Sequence, residues 1–315
     1  MISRADIALY TAKAQGRGRV QRYLDGMDAE LRDRRQLEED LTGATKRNEI
    51  HLVYQPQICL ETGEITAFEA LARWNHPTRG SIPPNTFIPL AEETRKIVEI
   101  GRWALQEACN FAAQWDHPAR ISVNVSPAQF YDEGLVAFIG DTLKSTGVTP
   151  DRLEIELTET VLVDDTTAAR RIMDELHELG IRLALDDFGT GFSSLSYLRE
   201  FPFDKIKIDQ SFVRSMADDD TARAIIQAVI GLGQVLGMTV IAEGVEETAQ
   251  RDMLIADGCD EIQGYLTGRG VLSDEVLKMI NTNRTSDLAA FDADTRAEQD
   301  ASDAAKRSSS GQSAA

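Results

Sequence analysis

Eight short runs rich in β-branched residues recur along this chain, at 50–56, 65–74, 121–126, 153–158, 181–187, 204–209, 238–243 and near 262–265. Helical patterns separate most of them, at 86–115, 134–146, 165–179, 211–236 and 246–257. Strand followed by helix at this spacing predicts parallel strands joined by crossovers, because a tight turn cannot link a parallel pair. Eight such strands within residues 48–283 fit an α/β fold of the TIM (β/α)8 barrel type. A doubly wound open sheet is the alternative. It usually carries a Gly-rich phosphate loop after its first strand, and none stands here. Residues 26–47 are charged, with Leu31, Leu37 and Leu41 spaced for one apolar face, and read as a connecting helix entering the barrel. Residues 1–25 form a separate helical extension, Ala5 to Ala14 ending at Gln15-Gly16-Arg17-Gly18-Arg19, too short to fold alone. Residues 284–315 are Ala-, Ser- and Asp-rich, and are expected to be a disordered tail.

Parallel strands buried on both faces read as nearly continuous apolar runs. Here most runs carry a polar or charged residue toward the C-terminal end. Alternation along 65–73 places Glu69 and Arg73 on one face. The run at 121–125 offers Asn124, and that at 153–159 offers Glu156. The run at 183–187 ends in the adjacent carboxylates Asp186 and Asp187, 206–209 offers Lys207 and Asp209, and 240–243 offers Glu243. Taken singly, each is a solvated or salt-bridged strand end. Six in order, at the end of a barrel where active sites sit, call for another account. A buried carboxylate is costly unless paired or bound to metal, so five carboxylates and one amide converge stably only around cations. Oxygen donors without sulfur or histidine favour Mg2+, Mn2+ or Ca2+ over zinc or copper. Gly189 and Gly191 follow the Asp pair, so the chain is expected to turn there and aim both carboxylates at metal. Two metals can activate a water and neutralise a phosphate during in-line displacement, and Lys207 and Arg73 add cations for ligand phosphates. The residues by themselves therefore point to metal-dependent phosphoryl transfer.

The net charge of −19 argues against general nucleic-acid binding, which needs a basic footprint. It leaves room for one small anionic ligand, because bound cations reverse the local field. Cys59, Cys109 and Cys259 stand far apart, which suits neither a zinc ribbon nor a disulfide framework and fits a reducing cytoplasm. The first residues carry no apolar signal core. The longest apolar stretch, 222–245, is interrupted by Arg223, Gln227, Gln234 and glycines, and reads as a buried helix and strand, not a membrane segment. His51, His76, His117 and His177 are scattered and read as surface or packing residues, and Asp218-Asp219-Asp220 as a solvated approach to a helix.

At these positions the sequence resembles the EAL family of cyclic di-GMP phosphodiesterases. The resemblance covers roughly residues 30–283 and rests on Tyr54-Gln55-Pro56, Glu69-Ala70-Leu71, Asn124-Val125-Ser126, Glu156-Leu157-Thr158-Glu159, Asp186-Asp187-Phe188-Gly189-Thr190-Gly191, Lys207-Ile208-Asp209, Glu243-Gly244-Val245-Glu246 and Gln263-Gly264-Tyr265. It implies a modified barrel with one antiparallel strand. It implies Glu69, Asn124, Glu156, Asp186, Asp187 and Glu243 as ligands of two Mg2+ or Mn2+ ions. Lys207 would contact the metal-bound water or phosphate, and Glu243 resembles the position assigned a general base. Gln263 resembles an orienting residue, and Asp209 a similar one on the ligand side. Arg73 matches the position gripping a phosphate, Gln55 and Glu246 positions facing guanine. Glu159 resembles the anchor of the 186–191 loop, which in the family couples metal binding to dimerisation. The implied reaction opens cyclic di-GMP to linear pGpG in a cytoplasmic homodimer. The implied alternative is a catalytically silent receptor that signals through a partner, but such domains usually lose a ligand or the loop glutamate, and all stand here. Residues 5–17 resemble the last helix of a GGDEF cyclase domain without its signature, so the chain reads as a fragment or late start of a longer GGDEF–EAL protein without cyclase activity. Thr267-Gly268-Arg269-Gly270 departs from the usual Phe-Ser-Arg-Pro-like stretch, Arg95 stands where glycine is usual, and Ala72 where leucine is usual.

Overall fold

The structure, a computed structural model, describes residues 26–189 and 195–282, with residues 4–5, 8–9, 20 and 22–24. Most of the expected GGDEF-like piece, the expected tail at 284–315, and Thr190 and Gly191 of the Asp-Asp loop lie outside the described residues. The chain divides into two compact units, one of Met1–His51 and Arg73–Ile97, the other of Leu52–Ala72 and Val98–Ala315.

The first unit holds helix α1 (Met27–Leu41), the short strand β3 (Gly80–Ile82) and helix α2 (Pro84–Glu93). Leu31, Leu37 and Leu41 are buried as their spacing requires. Trp74 is fully enclosed, edge-on to Phe87 at 5.8 Å, and its indole N–H donates to Glu49 Oε2 at 3.3 Å. His76 packs against Asp40 at 3.2 Å and accepts the Thr78 N–H in the turn at 76–79.

The second unit is the barrel. Its strands are β1 (Ile50–Cys59) and β2 (Ile65–His76), of which Ile50–His51 and Arg73–His76 count with the first unit, and β4 (Arg120–Asn124), β5 (Leu153–Thr158), β6 (Arg182–Phe188), β7 (Lys205–Ile208), β8 (Thr239–Ala242) and β9 (Glu261–Ile262). They follow the order β1-β9-β8-β7-β6-β5-β4-β2, and β1 also pairs with β2, so the ring closes. Around the ring the pairings β2–β4, β4–β5, β5–β6, β6–β7, β7–β8 and β8–β9 are parallel, whereas β1 runs antiparallel to β9. The modified barrel with one antiparallel strand is thus present, with β3 added to the end of β2. Helices α3 (Ile97–Ala112), α4 (Pro127–Phe130), α5 (Leu135–Thr146), α6 (Thr160–Asp164), α7 (Thr166–Glu178), α8 (Leu195–Glu200), α9 (Gln210–Ser215), α10 (Asp220–Leu236), α11 (Thr248–Asp257) and α12 (Ser273–Thr282) complete the order. The buried face of α7 is Ala169, Ile172, Met173 and Leu176, at helical spacing.

Two expectations need correction. The pattern at 86–115 is two helices, broken where Arg95 takes φ 58°. The pattern at 211–236 is also two, because Asp219 accepts the Thr221 N–H at 2.8 Å and starts α10 anew.

Candidate functional site

The parallel ladder fixes which strand ends meet. Glu69 lies opposite Ser122, Asn124 opposite Glu156, and Thr158 opposite Asp186. Lys207 lies opposite Ile241, and Glu243 follows the last residue of β8, its N–H bonded to Ile208 O at 3.1 Å. Between Leu185 and Phe188 the register against β7 shifts, and Asp187 sits in the left-handed region at φ 56°. An extra residue with this backbone rotates the chain, so that two successive carboxylates share a side that alternation would otherwise deny one of them. The turn therefore begins at Asp187 itself, not at the glycines, although Gly189 also has a positive φ of 99°.

Lys207 is the hub. Its side chain is buried, and its ammonium lies 2.7 Å from Glu156 Oε2, 2.7 Å from Glu243 Oε1, 3.2 Å from Asp186 Oδ1 and 3.7 Å from Glu69 Oε2. Burial favours the neutral amine, yet Asp186, Glu156, Glu243 and Glu69 outweigh it and hold the lysine well above its ordinary range. Glu69 is also held by Asn124 Nδ2 at 2.6 Å and Gln263 Nε2 at 2.5 Å. Burial pushes its carboxyl up, but Lys207 and these two amides bring it below the usual value. Glu156 goes the other way, raised well above the carboxylate range by burial and by the neighbouring Glu69. Burial, opposed by Lys207 and reinforced by Asp186 and Glu69, pushes Glu243 up to about 8. Burial and the adjacent Asp186 carboxylate push Asp187 up to about 6.

These side chains floor a cavity of about 230 Å3. Its lining includes Gln55, Glu69, Asp186, Lys207, Glu243, Glu246 and Gln263, seven of the residues expected from sequence. Asn124 and Glu156 join through their bonds to Glu69 and Lys207. Asp187 joins through its carboxylate, which with those of Asp186 and Glu243 offers oxygens all within 4.8 Å of one another. Glu159 Oε1 accepts the Gly189 N–H at 2.9 Å, tying β6 to the end of β5. Asp209 stands outside the lining and caps α9, accepting the Ser211 N–H at 3.0 Å. Arg73 belongs to the first unit.

The donor set fits divalent cations. Four carboxylates surround one ammonium with a fifth, Asp187, beside them, all the donors are hard oxygens, and three of the acids are raised by burial and by their neighbours' charges. Gln263 Oε1 is buried with no hydrogen-bond donor on it.

A second polar layer lies one residue pair below and was missed in the sequence. Lys205 Nζ, wholly enclosed, donates to Glu154 Oε1 and Gln57 Oε1, each at 2.8 Å, and pairs with Glu261 Oε2 at 2.9 Å. Ser122 donates to Glu154 at 2.9 Å, and Arg120 pairs with Glu154 and Glu261 at 3.6 and 3.3 Å. The signal was present. Gln55/Gln57, Glu154/Glu156, Lys205/Lys207 and Glu261/Gln263 are polar pairs two residues apart, each pair on one face of a strand. Gln210 and Arg214 also line the cavity and carried no sequence signal, because they stand on a helix, while Tyr265, of the Gln263-Gly264-Tyr265 stretch, lines it from beyond a strand.

Comparison with known proteins adds the following. A family described as EAL domain matches residues 38–269. A signaling protein of Caulobacter vibrioides is 48% identical over 269 residues, 85% of this chain and 33% of that protein. The bifunctional diguanylate cyclase/cyclic di-GMP phosphodiesterase MucR of Pseudomonas aeruginosa is 39% identical over 280 residues, 88% of this chain and 41% of that protein. The chain thus spans 33% and 41% of the length of these two relatives. Among solved structures, the PaMucR phosphodiesterase in complex with c-di-GMP superposes with a TM-score of 0.74 at 40% identity, covering 76% of this chain and 99% of that one. The EAL enzyme Bd1971, in its cAMP- and cyclic-di-GMP-bound form, gives 0.76 at 31% identity, covering 80% and 70%.

Proposed function

This chain belongs to the EAL domain family, and from that premise we propose that it hydrolyses cyclic di-GMP to linear 5′-pGpG. Water would attack one phosphorus, the P–O3′ bond would break, and O3′ would leave as a hydroxyl while the phosphate stays on the 5′ oxygen. The observation that carries this reading is the ring of carboxylates from separate strand ends around Lys207, buried at Glu69, Glu156 and Asp186, flooring an open cavity.

Glu69, Asn124, Glu156, Asp186, Asp187 and Glu243 would hold two divalent cations, Mg2+ or Mn2+. When bound, such ions lower the pKa of a water and offset phosphate charge. The protein's own part is separable. Lys207 fixes the carboxylates of Glu156, Glu243 and Asp186 and brings a positive charge to the cavity floor. Glu243 Oε1 is engaged by Lys207, and Oε2 would be the atom that accepts a proton once the carboxyl is ionised. Gln55 and Glu246, on the cavity wall, would face guanine, and Asp209 would support the ligand side. Glu159, through Gly189, would hold the 186–191 loop in register. Residues 48–283 would form the catalytic unit, entered through 26–47, acting in the cytoplasm as a homodimer. No helix among the described residues is long and apolar enough to cross a membrane.

Incubation with cyclic di-GMP and Mn2+, followed by chromatography, tests the reading. A linear dinucleotide is expected from the wild type and not from Glu69→Ala, and EDTA should abolish it. Tight binding without turnover would establish the silent receptor instead. Size-exclusion chromatography with and without Mg2+ tests the dimer.

A further inference from the structure

The two polar layers of the barrel are joined by one side chain. Gln57 is fully buried on β1. Its Oε1 accepts from Lys205 Nζ at 2.8 Å, and its Nε2 donates to Glu156 Oε1 at 3.4 Å. The orientation of this amide is forced. An ammonium offers only donors, so Lys205 takes the Gln57 oxygen, and the NH2 end can then only face upward. Lys205 is itself immobile, because Glu154 Oε1 and Glu261 Oε2 lie within 2.9 Å of the same nitrogen. The other oxygen of Glu156, Oε2, accepts from Lys207 at 2.7 Å. Both oxygens of Glu156 are therefore addressed by N–H groups from below and beside, which leaves their remaining lone pairs for the cavity side.

We propose that Gln57 is a positioning residue for Glu156: locked by Lys205, it fixes the Glu156 carboxylate in the orientation that receives a divalent cation, so the layer beneath the cavity sets cation affinity. The inference rests on the assignment of Glu156 as a ligand. Groups that orient a ligating carboxylate from outside act on affinity without touching the ion, and their loss typically costs roughly 10–100-fold. The alternative role for Gln57 is to satisfy Lys205 and nothing more.

The test uses the full chain, with Mn2+ alone as the probe in calorimetry, and with Mn2+ activation curves and KM for cyclic di-GMP as separate readouts. Gln57→Met keeps the side-chain volume and removes both polar contacts, so it is expected to fold. Gln57→Leu is the second variant. For each, the melting temperature in EDTA measures the fold and calorimetry measures the cation. Mn2+ binding weakened on the order of 10–100-fold, a parallel rise in the Mn2+ needed for half-maximal hydrolysis, and an unchanged KM at saturating Mn2+ would support the proposal. Wild-type Mn2+ affinity in either variant, whatever its melting temperature, would overturn it and leave Gln57 as a partner of Lys205. A wild-type protein that binds no Mn2+ would instead remove the functional reading and this inference together.

Discussion

At the scale of single residues, Lys205 shows how a barrel interior tolerates charge. Its ammonium is enclosed with two carboxylates and an amide oxygen, each within 2.9 Å. Removing one partner of such a group leaves the others uncompensated, at a cost of roughly 3–5 kcal/mol. Lys205→Met is expected to lose that much in urea unfolding, whereas the same change at the exposed Lys144 should stay within about 0.5 kcal/mol. Gly264 is limited by space. A Cβ there would lie 2.1 Å from Val245 O and 2.3 Å from Val245 N, and backbone cannot swing aside. Gly264→Ala should shift the segment carrying Gln263 and Tyr265. A displacement of ~1 Å costs on the order of 100-fold in rate, which initial-rate assays with cyclic di-GMP would read. The sequence displayed the carboxylates because charge interrupts an apolar strand. It could not display Gly264's neighbour, which is set by a contact across the chain.

Element boundaries were legible where a residue carries its own signal. Asp219 caps α10 through the Thr221 N–H, a signal present as an acidic residue before an apolar run, although the pattern at 211–236 was read straight through it. The break between α2 and α3 had no such mark. Arg95 occupies the left-handed position that follows a helix end, where glycine is favoured because it has no Cβ to clash. Its only trace in the sequence was the departure from the family's usual glycine. Arg95→Gly is expected to be neutral or stabilising by up to about 1 kcal/mol, unlike most glycine substitutions. Thermal denaturation checks this, and a clear drop in melting temperature would show that the arginine side chain stabilises more than its backbone strain costs. Asp187 solves a similar problem differently. Asp is among the few residues that enter the left-handed region readily, so the residue needed as a carboxylate also supplies the bend that β6 requires.

For the whole molecule, the strand-and-helix rhythm made the barrel legible, and the polar strand ends made one rim of it legible. The lower polar layer was not read, because a charged residue near a strand's start is ordinarily taken for solvated. The two-residue spacing puts Glu154, Lys205 and Glu261 on the same faces as the upper layer, and ring closure brings them together. The crowded rim has a thermodynamic consequence. Burial pushes Asp187 up from 3.8 to about 6 and Glu243 up from 4.5 to about 8. The folded protein without cations therefore binds more protons at these groups than the unfolded chain does. Their contribution favours folding at low pH and is lost as pH rises through that interval. A cation displaces the same protons, so its affinity should climb with pH. The melting-temperature increment produced by saturating Mn2+, relative to EDTA, is expected to widen between about pH 6 and pH 8.5. An increment independent of pH would contradict this account.

The ring closes through its first and last strands, Ile58 opposite Ile262 and Cys59 opposite Glu261. During synthesis, β1 waits for a two-residue partner made some two hundred residues later. Until that partner leaves the ribosome, the nascent sheet carries bare hydrogen-bonding edges, and such edges template association between chains. Chains ending before Glu261 are therefore expected to associate more readily than chains in which the ring can close.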